Sequence, residues 1–164
     1  RLVQAILRAR SAAEADLAVT AVRLLRAAVP PNPWDNLDTW PQWRRLLPHA
    51  LAATDASRAL DDTADDVAWL LDRAATYLQN RGEPAASRPL IERALELRRE
   101  ALGEEHPHTL TSASNLASNL RGLGQYEAAR RLDEDTLTRR RQVLSEEHPH
   151  TLLSASNLAR NLWG

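Results

Sequence analysis

The run Glu104-Glu105-His106-Pro107-His108-Thr109-Leu110 returns 42 residues later as Glu146-Glu147-His148-Pro149-His150-Thr151-Leu152. The match continues beyond it, since Ser112-Ala113-Ser114-Asn115-Leu116-Ala117 reappears as Ser154-Ala155-Ser156-Asn157-Leu158-Ala159. From Glu104 to Gly122, 16 of 19 positions recur identically between Glu146 and Gly164. Self-similarity at a fixed period of this size signals a repeat array, in which each unit buries its apolar face against its neighbours. Such arrays usually work as surfaces for other molecules, so the expectation is binding and not catalysis.

Working outward, Gly82 lies 42 residues before Gly124, and Arg88, Leu90, Glu92, Leu95, Arg98, Arg99 and Leu102 all match later counterparts. An earlier, more diverged copy therefore occupies about 67–105. The chain holds two complete helix pairs and the first helix of a third, predicted at 65–80, 84–102, 107–122, 125–144 and 149–163. Pro107 and Pro149 suit the first turn of a helix, where the missing donor costs nothing. Gly82 and Gly124 mark turns between paired helices that favour a left-handed backbone. Leu116 with Leu120, and Leu158 with Leu162, sit one turn apart and face a partner helix. In the second helices Leu132, Leu137 and Leu144 form the buried stripe, opposed by a charged face.

Ahead of the repeats, the apolar spacing of Leu2, Val3, Ile6 and Leu7 predicts a short helix. A second follows from about Ala12 to Val29, with Leu17, Leu24, Leu25 and Ala28 on one side. Pro30-Pro31-Asn32-Pro33 ends it. Trp34 to Thr39 reads as loop, and Pro41 opens a short helix to about Ala53. Asp55 to Thr63 is a polar connector in which Asp61 or Asp62 caps the next helix. Trp34, Trp40 and Trp43 are read as a packed core of this region.

Composition narrows the functional classes. With 4% aromatics and no Phe, the interior must be built from Leu, Ala and Val, and Ala and Leu favour all-α packing. All 21 basic residues are Arg, a bias pointing to a GC-rich bacterial genome. A net charge of −1 argues against nucleic acid as a partner. The absence of Cys excludes disulfides and thiolate chemistry. Arg interrupts every apolar run, so no membrane span is expected, and no signal peptide is visible, so the cytoplasm is the expected compartment. Beginning at Arg1 and lacking Met, the chain is expected to be a piece of a longer protein.

The repeat resembles the tetratricopeptide pattern W-x2-L-G-x2-Y…A-x3-F…P. Leu116-Ala117, Leu120 and Ala129 fall in the Leu-Gly, Tyr and Ala slots of the middle copy. Ala74-Ala75, Leu78, Ser87 and Ile91 do so in the first. Ala113 replaces the family Trp and Asp133 the large aromatic, implying looser packing there or an Asp133 directed at Arg groups. The 42-residue form, with Leu-Gly-Glu-Glu-His-Pro-x-Thr-Leu and Asn-Leu-Ala, is similar to repeats of the kinesin-light-chain type. This resemblance implies an all-α fold: a right-handed α-α superhelix over 63–164, preceded by a helical linker region at 1–62. A second resemblance lies in the linker. Arg1-Leu2-Val3-Gln4-Ala5-Ile6-Leu7-Arg8 and the stretch Thr39 to His49 are similar to segments of bacterial STAND-type (NB-ARC) regulatory ATPases. It implies an ATPase switch upstream of a repeat sensor; this chain carries no phosphate-binding loop and is not expected to bind nucleotide.

The family binds extended peptides or helices on a concave face lined by first helices. Mapped residue by residue, the candidate groove is Trp69, Asp72, Arg73 and Thr76, then Thr111, Ser114, Asn115 and Ser118, then Ser156, Asn157 and Arg160. Asn115 and Asn157 can each donate and accept, holding a peptide backbone in register or bracing neighbouring helices. Arg73 and Arg160 can grip a carboxylate. The two His-Pro-His motifs admit a zinc reading, but Pro between the ligands and the absence of Cys favour a helix-start role. Arg139-Arg140-Arg141 lies near Asp133-Glu134-Asp135 without interleaved aromatics, and is read as a solvated, salt-bridged face. Nothing sets a nucleophile beside a base, so no enzyme, cofactor or metal is expected. The expected partner is a peptide or protein, with self-association through an uncapped C-terminal helix, or an autoinhibitory scaffold role, as the alternatives.

Overall fold

The computed structural model describes residues 2–34, 36–56, 60 and 63–162; the side chains at 2, 3, 5–12, 161 and 162 are outside that description. Its helices are α1 (Leu2–Ala28), α2 (Trp40–Ala53), α3 (Ala64–Asn80), α4 (Pro84–Leu102), α5 (Pro107–Gly122), α6 (Tyr126–Val143) and α7 (Pro149–Leu162). No strand occurs among the described residues. The repeat helices fall within a residue of the predicted bounds, because the punctuation is local. Gly82 at φ 82° and Gly124 at φ 74° take the left-handed conformation that ends α3 and α5. In each case the next residue's N–H closes a Schellman bond, Glu83 to the Leu78 carbonyl at 3.0 Å and Gln125 to the Leu120 carbonyl at 2.9 Å. Pro84, Pro107 and Pro149 each open a helix.

Each helix packs on the next in the order α3, α4, α5, α6, α7, and the first helices α3, α5 and α7 also adjoin one another. The family slots are buried in the first copy at Ala74, Ala75, Leu78, Ser87 and Ile91, and in the middle copy at Ala113, Ala117, Leu120, Ala129 and Asp133, while Leu116 is only half-buried. Of the predicted second-helix stripe, Leu137 is buried, while Leu132 and Leu144 are only half-buried.

The N-terminal region departs from expectation. α1 is one continuous helix and not two, because Ser11-Ala12-Ala13 contains no breaker and Ala sustains the helix. Its buried face is Ala18, Val22, Leu25 and Val29, whereas Leu17 and Leu24 are 69% and 66% exposed. Of the predicted stripe, Leu17, Leu24 and Ala28 are thus exposed and only Leu25 packs against the core. Both α1 and α2 pack on α3. Trp43 is fully buried and stacks on Tyr77 at 5.8 Å, its Nε1 donating to the Pro30 carbonyl at 3.2 Å. Trp40 meets the same ring edge-on at 5.8 Å. Trp34 is 63% exposed and does not join this core, since the Pro-rich turn carries it outward. Leu37–Thr39 forms one 3₁₀ turn in the stretch read as loop. α3 follows Thr63, whose side chain makes no cap bond; the proposed caps Asp61 and Asp62 lie outside the described residues.

Candidate functional site

The 42-residue register aligns Trp69 with Thr111 and Leu153, Arg73 with Asn115 and Asn157, and Thr76 with Ser118 and Arg160. These positions are four and three residues apart, so each set shares one face of its helix. Because α3, α5 and α7 adjoin one another, the three faces form one polar stripe, with Asp66, His108 and His150 one turn earlier. Two open hollows lie elsewhere. One of about 470 Å³ is lined by Leu17, Leu24, Leu25 and His49, the other of about 400 Å³ by Leu60, Val67, Arg93 and Leu97.

Along the stripe, some polar groups are committed internally. Gln79 donates to the Ser118 hydroxyl at 3.1 Å, joining α3 to α5. The Thr76 and Thr111 hydroxyls bond back to the Asp72 and Pro107 carbonyls at 2.7 and 2.9 Å. Trp69 is half-buried between two guanidinium groups, with Arg26 of α1 5.2 Å and Arg73 5.6 Å from its ring centre. Arg26 also pairs with Asp66, so α1 covers one end of the stripe.

Other groups keep free donors. Arg73 Nε is buried without an acceptor. Burial pushes that guanidinium below its usual range, with neighbouring Asp72 opposing the shift and Arg98 adding to it. Half-buried Asn157 accepts at its backbone carbonyl from Arg121 (3.4 Å), while its side-chain amide has no partner among the described residues. Arg160 is exposed and likewise unpaired among the described residues.

Asp72 and Ser114 are not groove residues. With Ser156 they share a neighbouring register position that turns toward the following repeat, and both are buried; Ser156, on α7, is exposed. Asp72 pairs with Arg98 and accepts from the Ser112 hydroxyl at 2.8 Å. Burial pushes its carboxyl up, while Arg98, Ser112, Arg73 and Asn115 pull it back. Asn115 thus lies near Asp72 of α3 as well as facing the stripe.

Sequence reasoning missed the two arginines that knit the repeats. Arg98 and its counterpart Arg140 are both buried. Each donates to the serine hydroxyl 14 residues on, Ser112 or Ser154, at 2.7 Å. Each also reaches the carbonyl of the second His, His108 at 3.4 Å or His150 at 2.9 Å. Arg140 adds the Leu110 carbonyl at 3.1 Å. The arginine run is thus not wholly a solvated face. Arg139 pairs with Asp135 and Glu104, and Arg141 with Glu146, but Arg140 points inward between α5 and α7. The signal was the joint recurrence of Arg and Ser at period 42. Asp133, in the slot for a large aromatic, is fully buried and faces Arg121 at 3.4 Å, as one of the two expectations had it.

The tetratricopeptide repeat profile matches residues 66–142 and again 113–164, together more than half of the chain. Twenty-six chains of solved structures match. One is a Podosopora anserina protein described as a kinesin light chain with nearly identical TPR-like repeats. It aligns at TM-score 0.57 and 22% identity, covering 80% of this chain and 67% of its own. This is a likeness of fold. Residues 63–164 make up less than two thirds of the chain, so the alignment reaches into the linker helices. No curated protein matches.

Proposed function

Since this chain belongs to the tetratricopeptide repeat family, we propose that it is a binding module whose concave face, formed by α3, α5 and α7, takes an extended peptide segment of a protein partner. Repeats of this family generally mediate protein–protein interaction. The observation carrying the reading is the stripe of polar side chains with unspent donors: Arg73 with its buried unpaired Nε, then Asn157 and Arg160. A buried donor without an acceptor costs stability, and a partner's oxygen atoms would recover that cost. Asn115 and Asn157 then hold a peptide backbone, and Arg73 and Arg160 its carboxylates.

The linker resemblance supports a sensor role in a STAND-type regulatory ATPase, with α1 and α2 relaying occupancy through their packing on α3. A cytoplasmic location fits a chain with no helix among the described residues long and apolar enough to cross a membrane.

Selection of peptides on the purified chain, followed by alanine at Asn115, Asn157 and Arg160, tests the groove. The triple variant should bind a selected peptide at least about tenfold more weakly, as expected for central contacts, with an unchanged melting temperature. Undiminished affinity would sink the reading. Self-association is favoured by a different observation, the 56% exposure of Leu152 on α7. Sedimentation of this chain against one extended by a further repeat decides whether a dimer forms there.

A further inference from the structure

The repeated His-Pro-His turns are the chemistry that the binding face leaves unexplained. His106 is the N-cap of α5, at φ −66° and ψ 138°, and its Nδ1 accepts from the His108 N–H at 3.2 Å. At the start of α7, His148 Nδ1 accepts from the His150 N–H at the same 3.2 Å. The usual caps, Ser, Thr, Asp and Asn, keep their acceptor at neutral and mildly acidic pH. An imidazole keeps Nδ1 as an acceptor only while neutral, and in the protonated ring both nitrogens donate. Protonation therefore deletes the cap and sets a positive charge against the positive end of the helix dipole.

We propose that His106 and His148 make the first turns of α5 and α7 a pH-sensitive element, closed when the rings are neutral and released when they are protonated. The released turns carry His108 and His150, which lie at one end of the binding stripe, so acidification loosens that end and makes it more positive.

The surrounding charges set the balance in each copy. Around His106 lie the His108 ring at 5.1 Å and the loop acids Glu104 and Glu105. Glu104 is engaged by Arg99 of α4 and Arg139 of α6 at 3.4 and 3.2 Å. Asp65 of α3 is 3.3 Å from His108 Nδ1, and Arg98 of α4 reaches the His108 carbonyl. The first copy thus has a carboxylate beside its second histidine. Around His148 lie the His150 ring at 5.4 Å, Glu146 held by Arg141 at 3.0 Å, Glu147, and Arg140. No carboxylate is paired with His150 among the described residues. Burial, Arg140 and His148 hold that ring below the usual histidine range. A depressed histidine adds stability above its unfolded value of about 6.5 that is lost as pH falls through the folded value. Lacking the carboxylate that stands beside His108, the second copy is the one that opens first.

The test compares the wild-type chain with His106→Asn/His148→Asn, which retains an uncharged capping acceptor. Between pH 7.5 and 5.5 the wild type should lose about 4–8 °C more of its melting temperature than the variant, for two caps in a chain of this size. Parallel losses would overturn the proposal. Should the variant not fold, ¹⁵N spectra of the wild type decide instead. At pH 7.5 His106 and His148 must carry the proton on Nε2, and at pH 5.5 the His108 and His150 amides must lose protection, His150 first. A proton on Nδ1 at neutral pH, or amide protection unchanged on acidification, would refute it.

Discussion

Arg98→Met would remove the guanidinium that holds the first repeat to the second while keeping most of its aliphatic volume. Arg98 contacts Asp72, Asp65 Oδ1 at 3.0 Å, Ser112 Oγ at 2.7 Å and the His108 carbonyl at 3.4 Å. The Arg98 and Asp72 side chains are only 4% and 2% exposed, so the substitution strands a carboxylate in the interior. Breaking a buried pair from one side costs about 3–5 kcal/mol, chiefly through the orphaned charge. Arg140→Met is the internal control. That arginine bonds two carbonyls and a hydroxyl, the buried Asp133 whose charge favours it keeps Arg121 as a partner, and relief of its own burial offsets part of the loss. Its cost should be only about 1–2 kcal/mol. In the repeat register Asp72 corresponds to Ser114, so Asp72→Ser gives the first copy the chemistry of the second. The double variant Asp72→Ser/Arg98→Met should accordingly be more stable than Arg98→Met alone. Urea unfolding followed by circular dichroism measures all four proteins. With a slope of about 1–3 kcal/mol per molar, Arg98→Met should move the midpoint by at least about 1 M. Equal costs for Arg98→Met and Arg140→Met, or no rescue by Asp72→Ser, would refute the orphaned-charge argument.

Ser145 occupies the register position of Gly103 and is held at φ 143°, where a side chain is strained. Ser145→Gly should stabilise the chain by about 1 kcal/mol, read as a rise of about 2–4 °C in melting temperature. Trp43→Ala removes a fully buried ring stacked on Tyr77 and should cost about 3–5 kcal/mol, with α1 and α2 losing amide protection before the repeats. For Asp65, burial pushes the carboxyl up, but Arg98 and His108 more than reverse this and hold it below the usual range. A depressed carboxylate adds stability above its unfolded value near 3.8 that is lost as pH falls through the folded value. Asp65→Asn should therefore flatten the acid limb of the stability profile below about pH 4, measured by melting at stepped pH.

The helix bounds of the repeats were legible in the residues because their causes are local. Gly82 and Gly124 supply the left-handed turn and the prolines open helices; none needs a distant neighbour. The polar stripe was legible for a related reason, since the period of 42 and the helical repeat of about 3.6 residues together place Arg73, Asn115 and Asn157 at one level. The polar interior was not legible. Asp72 reads as a groove residue, and Arg98 and Arg140 as parts of solvated faces, when each helix is read alone; only Asp133, standing in an aromatic slot, pointed to an Arg partner. Helical spacing says which residues share a side, but a helix inside the solenoid is covered on several sides, by its pair and by adjoining repeats. Only the packing decided which charged side chains are enclosed, which partners neutralise them, and that Arg26 of the linker lies over Trp69.

The sequence by itself determined the repeat, its period and its punctuation, since those follow from backbone preferences of single residues. The tertiary structure alone decided burial, because whether a side chain is wet or paired is fixed by elements distant in the chain: Arg98 by α3 and α5, Arg140 by α5 and α7.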